Sequence, residues 1–158
     1  MEISPSYRLM KPGEENEVCE LVSRVFNEFI APGYAQEGVQ EFLSYAQPEY
    51  LLSRSQQPNR FVLVALAREE IVGMIEVRDN SHISLLFVDR EFQRRGIARE
   101  LVWRALEICL NAEPDLSEVS VKSSPYAIEA YEKLGFRRDG PERIENGIRF
   151  TPMLKKIR

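Results

Sequence analysis

The sequence predicts a single mixed α/β domain, and three observations carry that expectation. The chain has 158 residues, 44% of them hydrophobic and 29% charged, which is enough for one core and short of two. Apolar residues recur at helical spacing through the first third, then switch from Arg60 onward to short strand-like runs. No repeat and no long tract of Gly, Ser or Pro divides the chain.

Each element has its own signal. Tyr7 to Met10 reads as a short strand, closed by Lys11-Pro12-Gly13. From Glu14 to Phe29, Val18, Leu21, Val22, Val25, Phe26 and Phe29 form a helical stripe, broken at Ala31-Pro32-Gly33. A second helix over about 36–46 carries Val39, Phe42 and Leu43, and the segment between Pro48 and Pro58 is expected to be irregular. Arg60 to Ala67 is almost continuously apolar, as in a strand covered on both faces. Arg68-Glu69-Glu70 and Asp79-Asn80-Ser81 are tight links to strands over Ile71–Arg78 and His82–Val88, which predicts an antiparallel meander.

Arg95 to Leu110 is the next helix, with Ile97, Leu101, Val102, Ala105, Ile108 and Cys109 on one stripe. A strand over Ser117–Lys122, reached through that helix, should lie parallel to its predecessor. Ser124 can cap a helix opened by Pro125, and Gly135 falls where a left-handed residue ends it. Phe136–Ile144 and Ile148–Ile157 are joined by Glu145-Asn146-Gly147, and Asn-Gly is a strong hairpin signal. Pro152 interrupts the last ladder, marking that strand as an edge open to a second chain or as a protected terminus. A monomer and a homodimer both fit.

Composition narrows the functional classes. The 21 basic and 25 acidic residues give a net charge of −4, so a broad basic surface for nucleic acid is not expected. Residues 1–50 hold three basic residues against nine glutamates, whereas the remainder is mildly basic. No basic-then-apolar leader opens the chain, and no apolar run approaches the roughly 20 residues that span a bilayer. Cys19 and Cys109 sit among apolar neighbours in helical patterns, as buried free thiols do, and no metal-ligand cluster is visible. A cytoplasmic protein without metal or membrane partner is the expectation.

The most informative stretch runs from Leu85 to Arg99. A buried strand enters a turn holding Arg94 and Arg95 and then a helix that begins with Gly96, Ile97 and Ala98. The first N–H groups of a helix lack internal partners and lie at its positive end, so small residues there admit an anion. Arg99 adds charge. The pattern is neither a Walker loop nor a dinucleotide fingerprint.

Gln93-Arg94-Arg95-Gly96-Ile97-Ala98 resembles the Q/R-x-x-G-x-G/A signature of the GCN5-related N-acetyltransferases (GNAT family). The later block Ser124-Pro125-Tyr126-Ala127-Ile128-Glu129-Ala130-Tyr131-Glu132-Lys133-Leu134-Gly135-Phe136 resembles that family's N-x-x-A…Y-E-K-L-G-F motif, with Ser124 where many members carry Asn. The resemblance implies a single-domain GNAT fold, a mixed sheet of about six to seven strands flanked by about four helices. It divides residues 1–158 into acceptor-side helices and loops (1–59), an acetyl-CoA-binding core (60–113) and a C-terminal motif with hairpin (114–158).

The implied activity is direct transfer of acetyl from acetyl-CoA to a primary amine of a small molecule or protein, with no metal. A non-catalytic acetyl-CoA sensor or structural module is the alternative. By resemblance, Gln93, Arg94, Arg95, Gly96, Ile97, Ala98 and Arg99 hold the pyrophosphate, backbone groups of Leu86, Phe87 and Val88 align the pantetheine arm, and Ser124 lies beside it. Tyr131 is the implied acid for the departing thiolate, and Tyr126, on another helix face, is the weaker candidate. His82, the only histidine, suits a base by its ordinary pKa and matches the place of a Glu base in some relatives. Strict alternation would put His82 on one face with Ser84, Leu86 and Val88. Glu76, a lone acid between Ile75 and Val77, is the rival base, and deprotonation through water or of the substrate alone is the third alternative. The acidic first third, Glu37 and Glu41 in particular, would favour a cationic amine acceptor.

Overall fold

Apolar periodicity sorts the chain into two layers of helix around one sheet. The computed structural model describes residues 4–157. The strands are β1 (Ser6–Leu9), β2 (Phe61–Ala67), β3 (Glu70–Arg78), β4 (His82–Val88), β5 (Glu118–Ser123), β6 (Arg137–Arg138), β7 (Arg143–Glu145) and β8 (Ile148–Lys156). They are ordered β1-β2-β3-β4-β5-β8-β6, and β7 also pairs with β8. The meander and the single parallel pair, β4 with β5, are as the links predict.

Helices α1 (Glu15–Phe29), α2 (Gln36–Tyr45) and α3 (Pro48–Ser55) cover one face. There Val18, Val22, Phe26 and Leu51 pack with Val62, Val64, Met74, Leu85 and Phe87. Helices α4 (Ile97–Ala112) and α5 (Ile128–Lys133) cover the other, where Ile97, Leu101 and Tyr131 belong to one core with Leu63, Ala65, Ile75 and Val77. Cys19 and Cys109 are buried free thiols, one in each layer, and burial pushes each up to about 11. No helix among the described residues is long and apolar enough to cross a membrane.

The mixed sheet flanked by helices is as expected, and among the described residues it comprises eight strands and five α-helices, one of each beyond the about six to seven and about four expected. The additional helix is α3: Pro48 starts it rather than breaking it, because the first turn needs no N–H from that residue. The additional strand arises because Phe136–Ile144 is interrupted at Gly140, whose φ of 144° lies outside any strand.

Two further expectations are corrected. Strand β8 is not an edge, because β5 lies on one side and β6 and β7 on the other. Pro152 is tolerated inside the sheet because it falls between the β6 and β7 pairings. Its carbonyl there accepts from the Asp139 N–H at 2.8 Å, and its missing donor faces that same interval. Strict alternation along β4 also fails. Glu76 pairs with Leu85 and Val77 with Ile83, which leaves Ser84 as a bulge. Ile83, Leu86 and Val88 therefore face the α4 layer, while Leu85 and Phe87 face α1. His82, next to Ile83, lies on the α1 face and does not share a face with Leu86 and Val88.

The β7–β8 turn follows its sequence signal. Asn146 and Gly147 both have positive φ, 54° and 80°, as a two-residue turn of the primed kind requires. The turn abuts the start of α2, where a Cβ on Gly38 would overlap the backbone carbonyl of Gly147. This contact seats α2 on the hairpin. Gly38→Ala should cost about 1–3 kcal/mol by forcing the two backbones apart. Thermal denaturation would then show Tm lower by several degrees; an unchanged Tm would contradict this docking.

Candidate active site

β4 and β5 pair at only two positions, His82 with Ser120 and Ile83 with Val121. Past them the strands diverge. The β3 ladder uses alternate β4 backbone groups, so the others from Ser84 to Val88 face the opening. A cleft of about 1160 Å³ lies there, lined by residues of β4, β5, both helical layers and the β7–β8 hairpin.

One end of the cleft is the start of α4. Arg94 and Gly96 both take left-handed backbone, with φ of 62° and 83°, which turns the chain sharply into the helix. Gly96 has no side-chain cap, and a Cβ there would meet open space. The first-turn N–H groups are thus bare and approachable, at the positive end of a 16-residue helix. Arg94 and Arg99 are exposed and line the cleft. Arg95 does not line it; its guanidinium lies 5.5 Å from the Phe92 ring centroid. Gln93 fastens the turn: its Nε2 donates to the Val88 carbonyl at 3.0 Å, and its Oε1 accepts from the Tyr126 hydroxyl at 3.3 Å. This end has the donors and charge for a pyrophosphate, and it lies next to an opening suited to an extended arm.

The strand residues Leu86, Phe87 and Val88 line the cleft, as do Ile97, Ala98, Ser124 and Tyr131. Ser124 acts as the cap its position predicts, its Oγ accepting from the Ala127 N–H at 3.3 Å. Tyr131 is only 6% exposed and packs edge-on to Phe136, and burial alone raises its hydroxyl well above the usual phenol range. It holds its proton at neutral pH.

His82 also lines the cleft, on the α1 face. Its Nδ1 lies 2.7 Å from the Ser120 Oγ, its cross-strand neighbour at the first of the two rungs before the strands part. Burial first, then the nearby Arg78 and Lys122 cations, bring its pKa down to about 4, against a small opposing effect of Asp79. The imidazole is neutral at physiological pH. If Nδ1–H donates to Ser120, the Nε2 lone pair is free; the reverse tautomer would block it.

Glu76, the rival base, sits away from the cleft. It is fully buried beneath α2 and α3 and does not line the cleft. Arg54 Nε reaches one carboxylate oxygen at 2.7 Å, Arg54 Nη2 reaches the other at 3.2 Å, and the Tyr45 hydroxyl donates to that second oxygen at 3.2 Å. The guanidinium also lies 3.6 Å from the Tyr45 ring centroid. A carboxylate so committed is a foundation for the cleft wall, since Tyr45 itself lines the cleft. Arg54, Tyr45 and Ser120 were not singled out by motif. The available signal was Glu76 itself: an acid inside a buried strand needs a cation, although nothing in the sequence says which. Of the two glutamates expected to face the acceptor, Glu41 lines the cleft and Glu37 does not, and Arg78 and Lys122 line it too. That part of the cleft therefore has mixed charge.

Comparison with known proteins agrees with this geometry. Residues 30–157 match the family model of the acetyltransferase (GNAT) domain. The chain belongs to the GNAT acetyltransferase family. An uncharacterised N-acetyltransferase of Escherichia coli strain K12, YafP, is 27% identical over 146 residues, covering 91% of this chain and 89% of the relative. Among solved structures, the PaiA N-acetyltransferase from Thermoplasma acidophilum in complex with coenzyme A has a TM-score of 0.81 at 20% identity, covering 97% of this chain and 99% of that one. The GCN5-related N-acetyltransferase from Rhodopseudomonas palustris has a TM-score of 0.78 at 21% identity and covers 99% of each chain. At these identities the structures establish the GNAT fold, and the splayed β4–β5 pair is how this GNAT chain opens its cleft.

Two predictions come from the buried groups. The unfolded chain takes up a proton on His82 near pH 6.5 while the fold resists until about 4, so this residue makes stability fall as pH drops through that window. His82→Gln should lose less Tm than the native chain between pH 7 and pH 4.5; parallel curves would contradict the neutral buried imidazole. Arg54→Ala strands the Glu76 carboxylate and should cost about 3–5 kcal/mol in denaturant unfolding. A change below about 1 kcal/mol would show that the ion pair is dispensable.

Proposed function

We propose that this chain is an acetyl-CoA-dependent N-acetyltransferase acting on a primary amine. The observation that carries the reading is the cleft itself, where two strands part directly beside an uncapped helix start flanked by arginines. Bound acetyl-CoA would supply a thioester whose carbonyl carbon accepts the amine nitrogen and whose C–S bond then breaks.

The chain's own residues have separable roles in this proposal. Gly96, Ile97, Ala98 and Arg99 offer backbone N–H groups and charge to the pyrophosphate, with Arg94 beside them and Gln93 holding the turn. Arg95 contributes long-range charge. Backbone groups of Leu86, Phe87 and Val88 align the arm, Ser124 flanks it, and one N–H of β4 polarises the thioester carbonyl. His82, neutral and held by Ser120, takes the proton that the amine releases. Its low basicity means that it acts on an amine already made acidic by bond formation. Tyr131, kept protonated by burial, gives a proton to the departing sulfur. Glu76 takes no proton in this scheme; it holds Tyr45 and Arg54 in place. The acceptor enters on the α1 face, between α2 and the β7–β8 hairpin, where Glu41 and, on the hairpin, Glu145 are the carboxylates available to a cationic amine.

Acetyl-CoA at 100 times its dissociation constant should stabilise the protein by about 2.7 kcal/mol, seen as a rise of several degrees in Tm. No rise would refute the cofactor assignment. With an amine that supports thiol release, Tyr131→Phe and His82→Ala should each lower kcat about 10²-fold or more while the acetyl-CoA thermal shift persists. Unchanged turnover in both variants would refute the catalytic roles.

A further inference from the structure

We infer that Phe29 and Tyr126 form an aromatic clasp across the cofactor arm and govern how fast the coenzyme leaves. The inference rests on the acetyl-CoA reading and adds Tyr126, which lines the cleft, as a binding residue and Phe29, which stacks on it from behind the cleft lining, as its positioning residue; the GNAT motifs assign neither. Phe29 ends α1, whose core lies on one side of the sheet, and Tyr126 lies in the turn before α5, whose core lies on the other. Elements on opposite faces of a sheet are ordinarily kept apart by it. Here their rings stack, with centroids 4.9 Å apart and planes 23° from parallel. They can meet because β4 and β5 separate past Ile83 and Val121 and leave no strand between them.

The stack is anchored to the anion end of the cleft. The Tyr126 hydroxyl donates to Gln93 Oε1 at 3.3 Å, and Gln93 in turn grips the Val88 carbonyl at 3.0 Å. Val88, Gln93, Phe29 and Tyr126 thereby bridge the opening between the pyrophosphate cradle and the strand that would hold the thioester. An extended amide arm joining those two sites passes this bridge. Tyr126 lines the cleft and is 49% exposed, so it can turn aside to admit the arm and then close on it. A closed aromatic pair slows departure more than entry, since affinity differences of this kind reside mainly in the dissociation rate.

Stopped-flow displacement of coenzyme A from the full chain tests the clasp. Phe29→Ala and Tyr126→Ala should each raise the dissociation rate about tenfold, with association changed far less. Tyr126→Phe, which keeps the ring and loses the hydroxyl, should give a smaller rise. Circular dichroism of each ligand-free variant checks that it folds. An unchanged or slower dissociation rate in both folded alanine variants would overturn the clasp, and so would tighter binding, which would mean that the stack obstructs the arm. If the native chain binds no coenzyme A at all, the acetyl-CoA reading itself fails, a result distinct from these.

Discussion

The parting of β4 from β5 is the constraint on which the rest depends. Parallel strands joined through a helix ordinarily hydrogen-bond along their shared length, and here the pairing stops after Ile83 and Val121. An opened ladder exposes backbone groups that would be costly to bury unpaired, so the gap must face solvent or a ligand with its own donors and acceptors. The stop coincides with the bulge at Ser84, the next residue of β4, which exchanges the faces of the residues on either side of it. One irregular residue thus separates the face that carries His82 and Ser120 from the strand segment that would align an extended cofactor.

The two helical layers are matched to that opening. The α4 side contributes an uncapped helix start and exposed arginines, and the α1–α3 side contributes aromatic residues and the buried Arg54–Glu76 pair. A buried ion pair is weak support for stability in itself, because desolvation offsets much of the attraction. Its value here is geometric: it fixes Tyr45 at the cleft wall. The charge imbalance of the first third finds its explanation in such pairings as well, since Glu14 is held by Arg8 and Glu28 by Arg90. The Arg8 guanidinium holds Glu14 down to about 2. Part of that acidity is thereby spent on the fold's own cations, and Glu41 is the acid of residues 1–50 that reaches the cleft.

The order of elements and the anion end were legible in the sequence because each rests on short-range chemistry. Gly96 before an apolar stripe, Ser124 before Pro125, and Asn146-Gly147 between strands all act within a few residues. What sequence did not reveal depends on partners distant along the chain. The bulge at Ser84 is a matter of register between β3 and β4, and it moved His82 to the opposite face from the one alternation assigns. Glu76 was visible as an anomalous acid, but Arg54 and Tyr45 are 22 and 31 residues away and carry no motif. Local sequence marks Pro48 and Pro152 as interruptions, yet each occupies a position where the missing N–H has no ladder to serve.

Hydrogen–deuterium exchange of the full chain with and without acetyl-CoA tests the central claim most directly. The account predicts slowed exchange at two separated places, the β4 segment over 86–88 and the start of α4 over 96–99, because the ligand would occupy both the opened ladder and the bare helix end. Protection confined to other surfaces, with these two segments unchanged in the presence of saturating acetyl-CoA, would contradict it.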